Sequence, residues 1–192
     1  MKEGVFVLER FRQEKVFTAP NVLTLIRIGL LPAVVVFFRL GDITGALCFY
    51  LISMLTDILD GMIARRTHQI TALGKLLDPI ADKLSSLTML ILFAQTGRIS
   101  LWFLFIVCTK ELLLIGGSYL ALRRGVVVQS LPIGKGATAV FVAAITAEFL
   151  NLDQPANVLL YMYLVLSVGG LLWYARSTML LMLETESEAT SV

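Results

Sequence analysis

Residues 57–65 read DILDGMIAR and residues 74–82 read GKLLDPIAD, and these two segments decide the fold. Each carries two aspartates inside a stretch that is otherwise apolar enough to cross a bilayer. An ionised Asp at the centre of a membrane helix costs about 2.5–3.5 kcal/mol, so four would cost on the order of 10–14 kcal/mol. That cost rivals the stability of a whole domain. The sequence therefore predicts that something compensates the charge, and a metal ion is the leading candidate.

The composition indicates a polytopic membrane protein. Of the 192 residues, 57% are hydrophobic and 16% are charged, and the mean hydropathy is +0.84. A soluble domain has about 25% charged residues, and a helix needs about 20 apolar residues to span a bilayer. We expect no cleavable signal peptide. The predicted fold is all-α with six transmembrane helices, at about 22–40, 43–65, 74–96, 100–122, 134–151 and 156–182.

The remaining segments complete the predicted organisation. Residues 1–20 mix apolar and charged side chains, which is typical of an amphipathic helix lying in the cytoplasmic interface. Residues 21–183 form the six-helix domain, and the acidic tail 184–192 is expected to be disordered. Basic residues concentrate before the first span, after the second and between the fourth and fifth. By the positive-inside rule, both termini and the active site face the cytoplasm from the cell (inner) membrane.

The aspartates are spaced so that they can meet. On a helix that turns about 100° per residue, Asp57, Asp60, Gly61 and Ala64 share one stripe. Gly74, Asp78 and Asp82 are four residues apart and form a second stripe. Neighbouring spans joined by a short loop usually pack antiparallel. Four carboxylates would then bound a small cleft whose floor has almost no side chains.

Such a cluster needs cations or protons. Two like charges about 4 Å apart repel by about 4 kcal/mol at an effective dielectric of about 20, so some carboxyls must be protonated or neutralised. Two divalent ions would cancel four charges, and carboxylate oxygens suit Mg²⁺ or Mn²⁺. A two-metal pair is suited to phosphoryl displacement. Small residues would admit a bulky ligand, and Arg65 could bind its phosphate. A proton relay or cation-coupled transporter, and a purely structural acidic set, are the alternatives.

The complete string, DxxDGxxAR, eight residues, then GxxxDxxxD, resembles the signature of the CDP-alcohol phosphotransferase family. Residues 20–27, 77–83 and 110–112 look like its phosphatidylglycerophosphate synthase branch, and residues 134–138 resemble that branch's GK-x-x-T region. The resemblance implies a metal-dependent membrane enzyme that transfers a phosphatidyl group from CDP-diacylglycerol to glycerol 3-phosphate and releases CMP. It also implies a homodimer among membrane lipids. We expect no nucleic-acid partner.

The resemblance implies roles for individual residues. The metal ligands would be Asp57, Asp60, Asp78 and Asp82, with Asp82 also the general base. The CDP-lipid would be bound by Asp57, Asp60, Gly61, Ala64, Arg65 and Gly74. In that branch the phosphate of the acceptor needs cations, for which the candidates are Arg27, Lys110, Lys135 and Arg176. Lys135 and Arg176 could instead extend to the lipid headgroups. A CMP-forming cardiolipin synthase, with phosphatidylglycerol as acceptor, is the near alternative.

Overall fold

The computed structural model describes residues 18–67, 71–123 and 132–190, and every regular element within them is an α-helix. The helices are α1 (Ala19–Arg39), α2 (Ile43–Thr67), α3 (Ala72–Gln95), α4 (Leu101–Arg123), α5 (Pro132–Phe149) and α6 (Asp153–Thr190). They match the six predicted segments to within a few residues at every end except the last. The predicted interfacial helix at 1–20 lies almost entirely outside the described residues.

Four of the six helices are long and apolar enough to cross a membrane, which makes this a membrane protein. Among the described residues these stretches are Ala19–Arg39, Ile43–Ile63, Leu101–Ser118 and Asp153–Met179. Helix α3 is too rich in charged residues to count as a candidate span, because its first half carries Lys75, Asp78, Asp82 and Lys83. In α5 the described apolar part, Gly136–Phe149, is shorter than the four candidate spans. The predicted count of six spans is therefore not confirmed, although the described residues form six helices.

Helix α6 continues past the predicted end of the last span, to Thr190. The disorder of the acidic segment 184–192 stays a prediction. A helix that is already formed extends without a new nucleation step. Leu, Met, Glu and Ala also have high helix propensity, and they make up most of the sequence at 179–189.

The chain divides into two compact units, Met1–Leu92 and Phe93–Val192. In the first unit, α1 packs along α2. Asp42 accepts a hydrogen bond from the backbone N–H of Gly45 (2.8 Å), so its side chain caps the first turn of α2. The buried face of α1 consists of Pro20, Asn21, Thr24, Arg27, Leu31 and Val34. This face is polar in its first two turns and apolar beyond them.

In the second unit, α6 packs against both α4 and α5. The rings of Phe141 and Tyr163 lie 4.9 Å apart between α5 and α6. Arg98, before α4, connects to the α5–α6 turn through Glu148 (3.0 Å), Asn151 (2.8 Å) and Asp153 (2.9 Å). Each of the three guanidinium nitrogens thus contacts one acceptor, so this polar cluster joins segments of the chain within the second unit.

Candidate active site

Three helices of the first unit bring six polar side chains together. Helix α1 contributes Thr24 and Arg27, helix α2 contributes two aspartates and helix α3 contributes two more. The contacts among them join Thr24, Arg27, Asp57, Asp60, Asp78 and Asp82. We call these six residues the acidic cluster. The two aspartate stripes face a common centre, as their spacing predicts.

Arg27 stands among the carboxylates. Its side chain is fully buried. Nη2 lies 2.6 Å from Oδ1 of Asp57 and also contacts Asp60, and Nη1 lies 2.7 Å from Oδ1 of Asp82. Hydrogen bonds between a guanidinium and carboxylates are roughly twice as strong as neutral ones. One cation therefore holds three of the four aspartates.

Thr24 reaches the fourth aspartate. Its Oγ1 lies 2.8 Å from Oδ1 of Asp78, 3.2 Å from Oδ2 of Asp60 and 3.2 Å from the carbonyl oxygen of Pro20. A hydroxyl has one proton to donate, and Asp78 is the closest acceptor. Sequence reasoning missed this residue. Polar residues at 21, 24 and 27 on one face of an otherwise apolar helix were the available signal.

The acidic cluster has a closed end and an open end. The Asp60 side chain is 4% exposed, whereas Asp57 is 36% and Asp82 50% exposed. A ligand could therefore reach Asp57 and Asp82 directly, while Asp60 is enclosed by protein.

Gly74 permits the close approach of α1 to the start of α3. A Cβ at this position would lie 2.7 Å from Oδ1 of Asn21 and 3.1 Å from Oγ1 of Thr71. Asn21 is buried and accepts a hydrogen bond from Thr71 (3.0 Å). Thr71 in turn accepts one from the backbone N–H of Gly74 (2.9 Å), which caps α3. Gly74 was predicted to leave room for the CDP-lipid. In the structure it leaves room for Asn21.

We expect Gly74→Ala to destabilise the first unit by about 1–3 kcal/mol and to reduce activity. The added methyl group would push Asn21 and Thr71 apart and shift Asp78, one turn further along α3. Thermal unfolding in detergent measures the loss. Gly29→Ala is the matched control because a Cβ at Gly29 meets nothing within 4 Å. Equal melting temperatures for the two variants would contradict this account of Gly74.

We expect Thr24→Val to lower turnover by about 10–100-fold, the effect typical of removing a group that orients metal-binding carboxylates. Valine keeps the shape of threonine but cannot donate a hydrogen bond to Asp78 or Asp60. Steady-state kinetics measures the change. Thr24→Ser keeps the hydroxyl and should retain most of the activity. Comparable loss in the Ser and Val variants would show that the methyl group, and not the hydroxyl, matters.

The donors of the acidic cluster fit a hard divalent cation, because four carboxylates converge and two of them are accessible. In the described parts of the chain, however, no three Asp, Glu, His or Cys side chains are already grouped so that they could hold an ion. The guanidinium of Arg27 contacts three of the four carboxylates. The assignment of Asp57, Asp60, Asp78 and Asp82 as metal ligands stays a prediction.

The other predicted site residues are distributed as follows. Gly61 is half-buried in α2. Lys110, in the second unit, is buried, with Nζ 2.6 Å from Oε1 of Glu111 and 5.7 Å from the centre of the Tyr163 ring. Arg176 is exposed on α6. The side chains of Ala64, Arg65 and Lys135 lie outside the described part of the structure.

Comparison with known proteins adds an independent finding. Residues 17–173 match the family model described as CDP-alcohol phosphatidyltransferase. A Mycobacterium tuberculosis protein named "Putative cardiolipin synthase" is 34% identical over 170 residues, which cover 84% of this chain and 80% of that protein. A CDP-diacylglycerol–glycerol-3-phosphate 3-phosphatidyltransferase of Rickettsia bellii is 33% identical over 162 residues, or 81% and 86% of the two chains. A CMP-forming cardiolipin synthase of Streptomyces coelicolor is 32% identical over 112 residues, or 55% and 52%.

Proposed function

The chain belongs to the CDP-alcohol phosphatidyltransferase family, and on that premise we propose that it transfers the phosphatidyl group of CDP-diacylglycerol to glycerol 3-phosphate. The products are phosphatidylglycerophosphate and CMP, and the reaction is a step of phospholipid biosynthesis. The observation that carries the proposal is the convergence of four carboxylates from α2 and α3, two of them accessible. A relative with this activity aligns over most of both chains.

In this proposal, Asp82 is the general base. Its carboxylate is half exposed, so the 1-hydroxyl of glycerol 3-phosphate can approach within hydrogen-bonding distance. Asp82 takes the hydroxyl proton as the oxygen attacks the lipid-linked phosphorus. The bond from that phosphorus to the CMP oxygen breaks, and CMP leaves with the electron pair.

Asp57, Asp60, Asp78 and Asp82 would hold two Mg²⁺ or Mn²⁺ ions, which supply charge neutralisation at the phosphate oxygens when bound. Thr24 orients Asp78 through its hydroxyl (2.8 Å). The CDP portion would be bound by Asp57, Asp60, Gly61, Ala64, Arg65 and Gly74. Since Gly74 contacts Asn21 and Thr71, part of its contribution would be to the shape of the site.

The acceptor phosphate would be bound by cations, for which Arg27, Lys110, Lys135 and Arg176 are proposed. Lys110 is held by Glu111, so it would present a partly neutralised charge. The excess of basic residues in alternate loops supports an active site that faces the cytoplasm from the cell membrane. We also propose a homodimer, on the family resemblance.

The second candidate function is a CMP-forming cardiolipin synthase. Relatives with cardiolipin synthase names align with this chain at 32–34% identity. The acceptor would then be phosphatidylglycerol, a lipid that reaches the site from the bilayer. The carboxylates and the release of CMP would be common to both reactions, so the acidic cluster does not distinguish the two candidate functions.

An acceptor screen tests both functions. Purified protein in lipid–detergent micelles receives CDP-diacylglycerol and Mg²⁺ or Mn²⁺ with either glycerol 3-phosphate or phosphatidylglycerol. CMP release and thin-layer analysis of the lipid product are measured, with Asp82→Asn as the blank. We expect phosphatidylglycerophosphate with the first acceptor. Cardiolipin with the second would select the alternative, and no CMP with any alcohol acceptor would refute the enzyme class.

A further inference from the structure

The position of Arg27 is unusual for a residue that binds a soluble substrate. Its side chain is 0% exposed, and it is among the largest fully buried side chains of the described residues. Both terminal nitrogens are already occupied by carboxylates, at 2.6 Å for Asp57 and 2.7 Å for Asp82. A buried guanidinium without such partners would be costly. Arg27 is therefore positioned as a partner of the aspartates.

The contacts of Arg27 are with carboxylate oxygens, which are also the ligands that a hard divalent ion prefers. They are Oδ1 of Asp57, Oδ2 of Asp60 and Oδ1 of Asp82. A hard divalent ion also binds carboxylate oxygens, so an ion held by these aspartates would be a second positive charge in the same cluster. Two cations in one partly desolvated cluster repel each other strongly. Occupation by one weakens binding of the other.

We propose that Arg27 is the internal counter-cation of the metal-free acidic cluster and competes with divalent ions for the same carboxylate oxygens. The inference rests on the metal dependence of the proposed function. Without metal, Arg27 keeps three of the four aspartates from repelling one another, so the acidic cluster remains assembled. Helix α1, which carries Arg27, packs along α2, and this fixes the cation beside Asp57 and Asp60.

A consequence follows for the acceptor. A metal that takes the carboxylate oxygens releases the terminal nitrogens of Arg27, which can then bind an anionic phosphate. Metal and acceptor phosphate would therefore bind cooperatively, and by linkage each would increase the affinity for the other equally. Arg27 would serve as a counter-cation in the metal-free protein and as a phosphate ligand in the loaded one.

Equilibrium binding of Mn²⁺, followed by the electron paramagnetic resonance signal of the free ion, tests the competition without substrate. Arg27→Gln should bind Mn²⁺ about tenfold or more tightly than the wild type, since the competing charge is gone. Arg27→Lys keeps a charge that cannot span three carboxylates, so its affinity should fall between the two. Arg39→Gln, the same substitution at the exposed end of the same helix, should leave Mn²⁺ affinity unchanged. If the Gln and Lys variants bind Mn²⁺ no more tightly than the wild type, the inference is overturned.

Thermal unfolding gives a second readout. In EDTA, Arg27→Gln should melt well below the wild type, because three carboxylates then lack the cation that they contact. Saturating Mn²⁺ should raise its melting temperature more than that of the wild type, because stabilisation by a ligand grows with the logarithm of its affinity. If the melting temperature of the variant lies below that of the wild type by the same amount with and without Mn²⁺, Arg27 has only a packing role. If the Gln variant cannot be purified without metal, the Lys variant is melted instead, with the same criterion.

Failure of this inference is distinguishable from failure of the proposed function. Wild-type protein that releases CMP, together with an Arg27→Gln variant that binds Mn²⁺ no more tightly, would refute the competition and leave the enzyme class intact. Wild-type protein that neither binds Mn²⁺ nor releases CMP would refute both.

Discussion

Asp82→Asn should lower CMP release by about 10³-fold or more while the protein stays folded. Asparagine has nearly the shape of aspartate but cannot accept the hydroxyl proton, and it is a weaker metal ligand. The fold should persist because Arg27 keeps its contacts with Asp57 and Asp60. Since Asp82 is half exposed, the lost ion pair should change stability by only about 1 kcal/mol or less.

The measurement is CMP release from CDP-diacylglycerol at saturating acceptor, with thermal unfolding of the same preparation. Asp42→Asn is the matched control because Asp42 caps α2 (2.8 Å to the Gly45 N–H), and asparagine caps a helix about as well as aspartate. The control should be as active as the wild type. Near-normal turnover by the Asp82→Asn variant would contradict the role of Asp82 as the general base. A silent or stabilising effect would favour a structural role for the whole acidic cluster.

Removal of divalent ions should abolish turnover, again by about 10³-fold or more, because the charge that develops on the phosphate oxygens would lose its compensation. Dialysis against EDTA followed by the CMP assay measures the loss, and Mg²⁺ or Mn²⁺ should restore activity. Helical content should remain during the treatment, since Arg27 still holds three of the aspartates.

The control for this experiment is EDTA already saturated with Mg²⁺, which exposes the protein to the same chelator without depriving it of metal. Full activity after exhaustive dialysis would contradict the metal dependence. It would also suggest that the cationic side chains of the site, Arg27 first among them, compensate the phosphate charge alone.

The helices themselves were predictable from sequence. Apolar runs of about 20 residues separated by short polar segments admit little besides helices in a bilayer, because every backbone N–H and C=O must be satisfied within its own segment. The membrane class and the six helical segments were predicted from composition and the length of the apolar runs, and the approach of Asp57 and Asp60 to Asp78 and Asp82 was predicted from spacing. The number of spans was less secure. Among the described residues, four helices have the length and hydropathy of a membrane span, so the predicted count of six is not confirmed.

Sequence alone therefore predicted which carboxylates can meet, because helical periodicity places residues three and four apart on one face and neighbouring helices joined by a short loop usually pack together. Only the tertiary structure decided which other side chains contact these carboxylates. The approach of α1 brings Arg27 and Thr24 into contact with aspartates more than thirty residues away in the chain. It also places Gly74 next to Asn21. Periodicity within one helix cannot specify these contacts, because they depend on how different helices pack together.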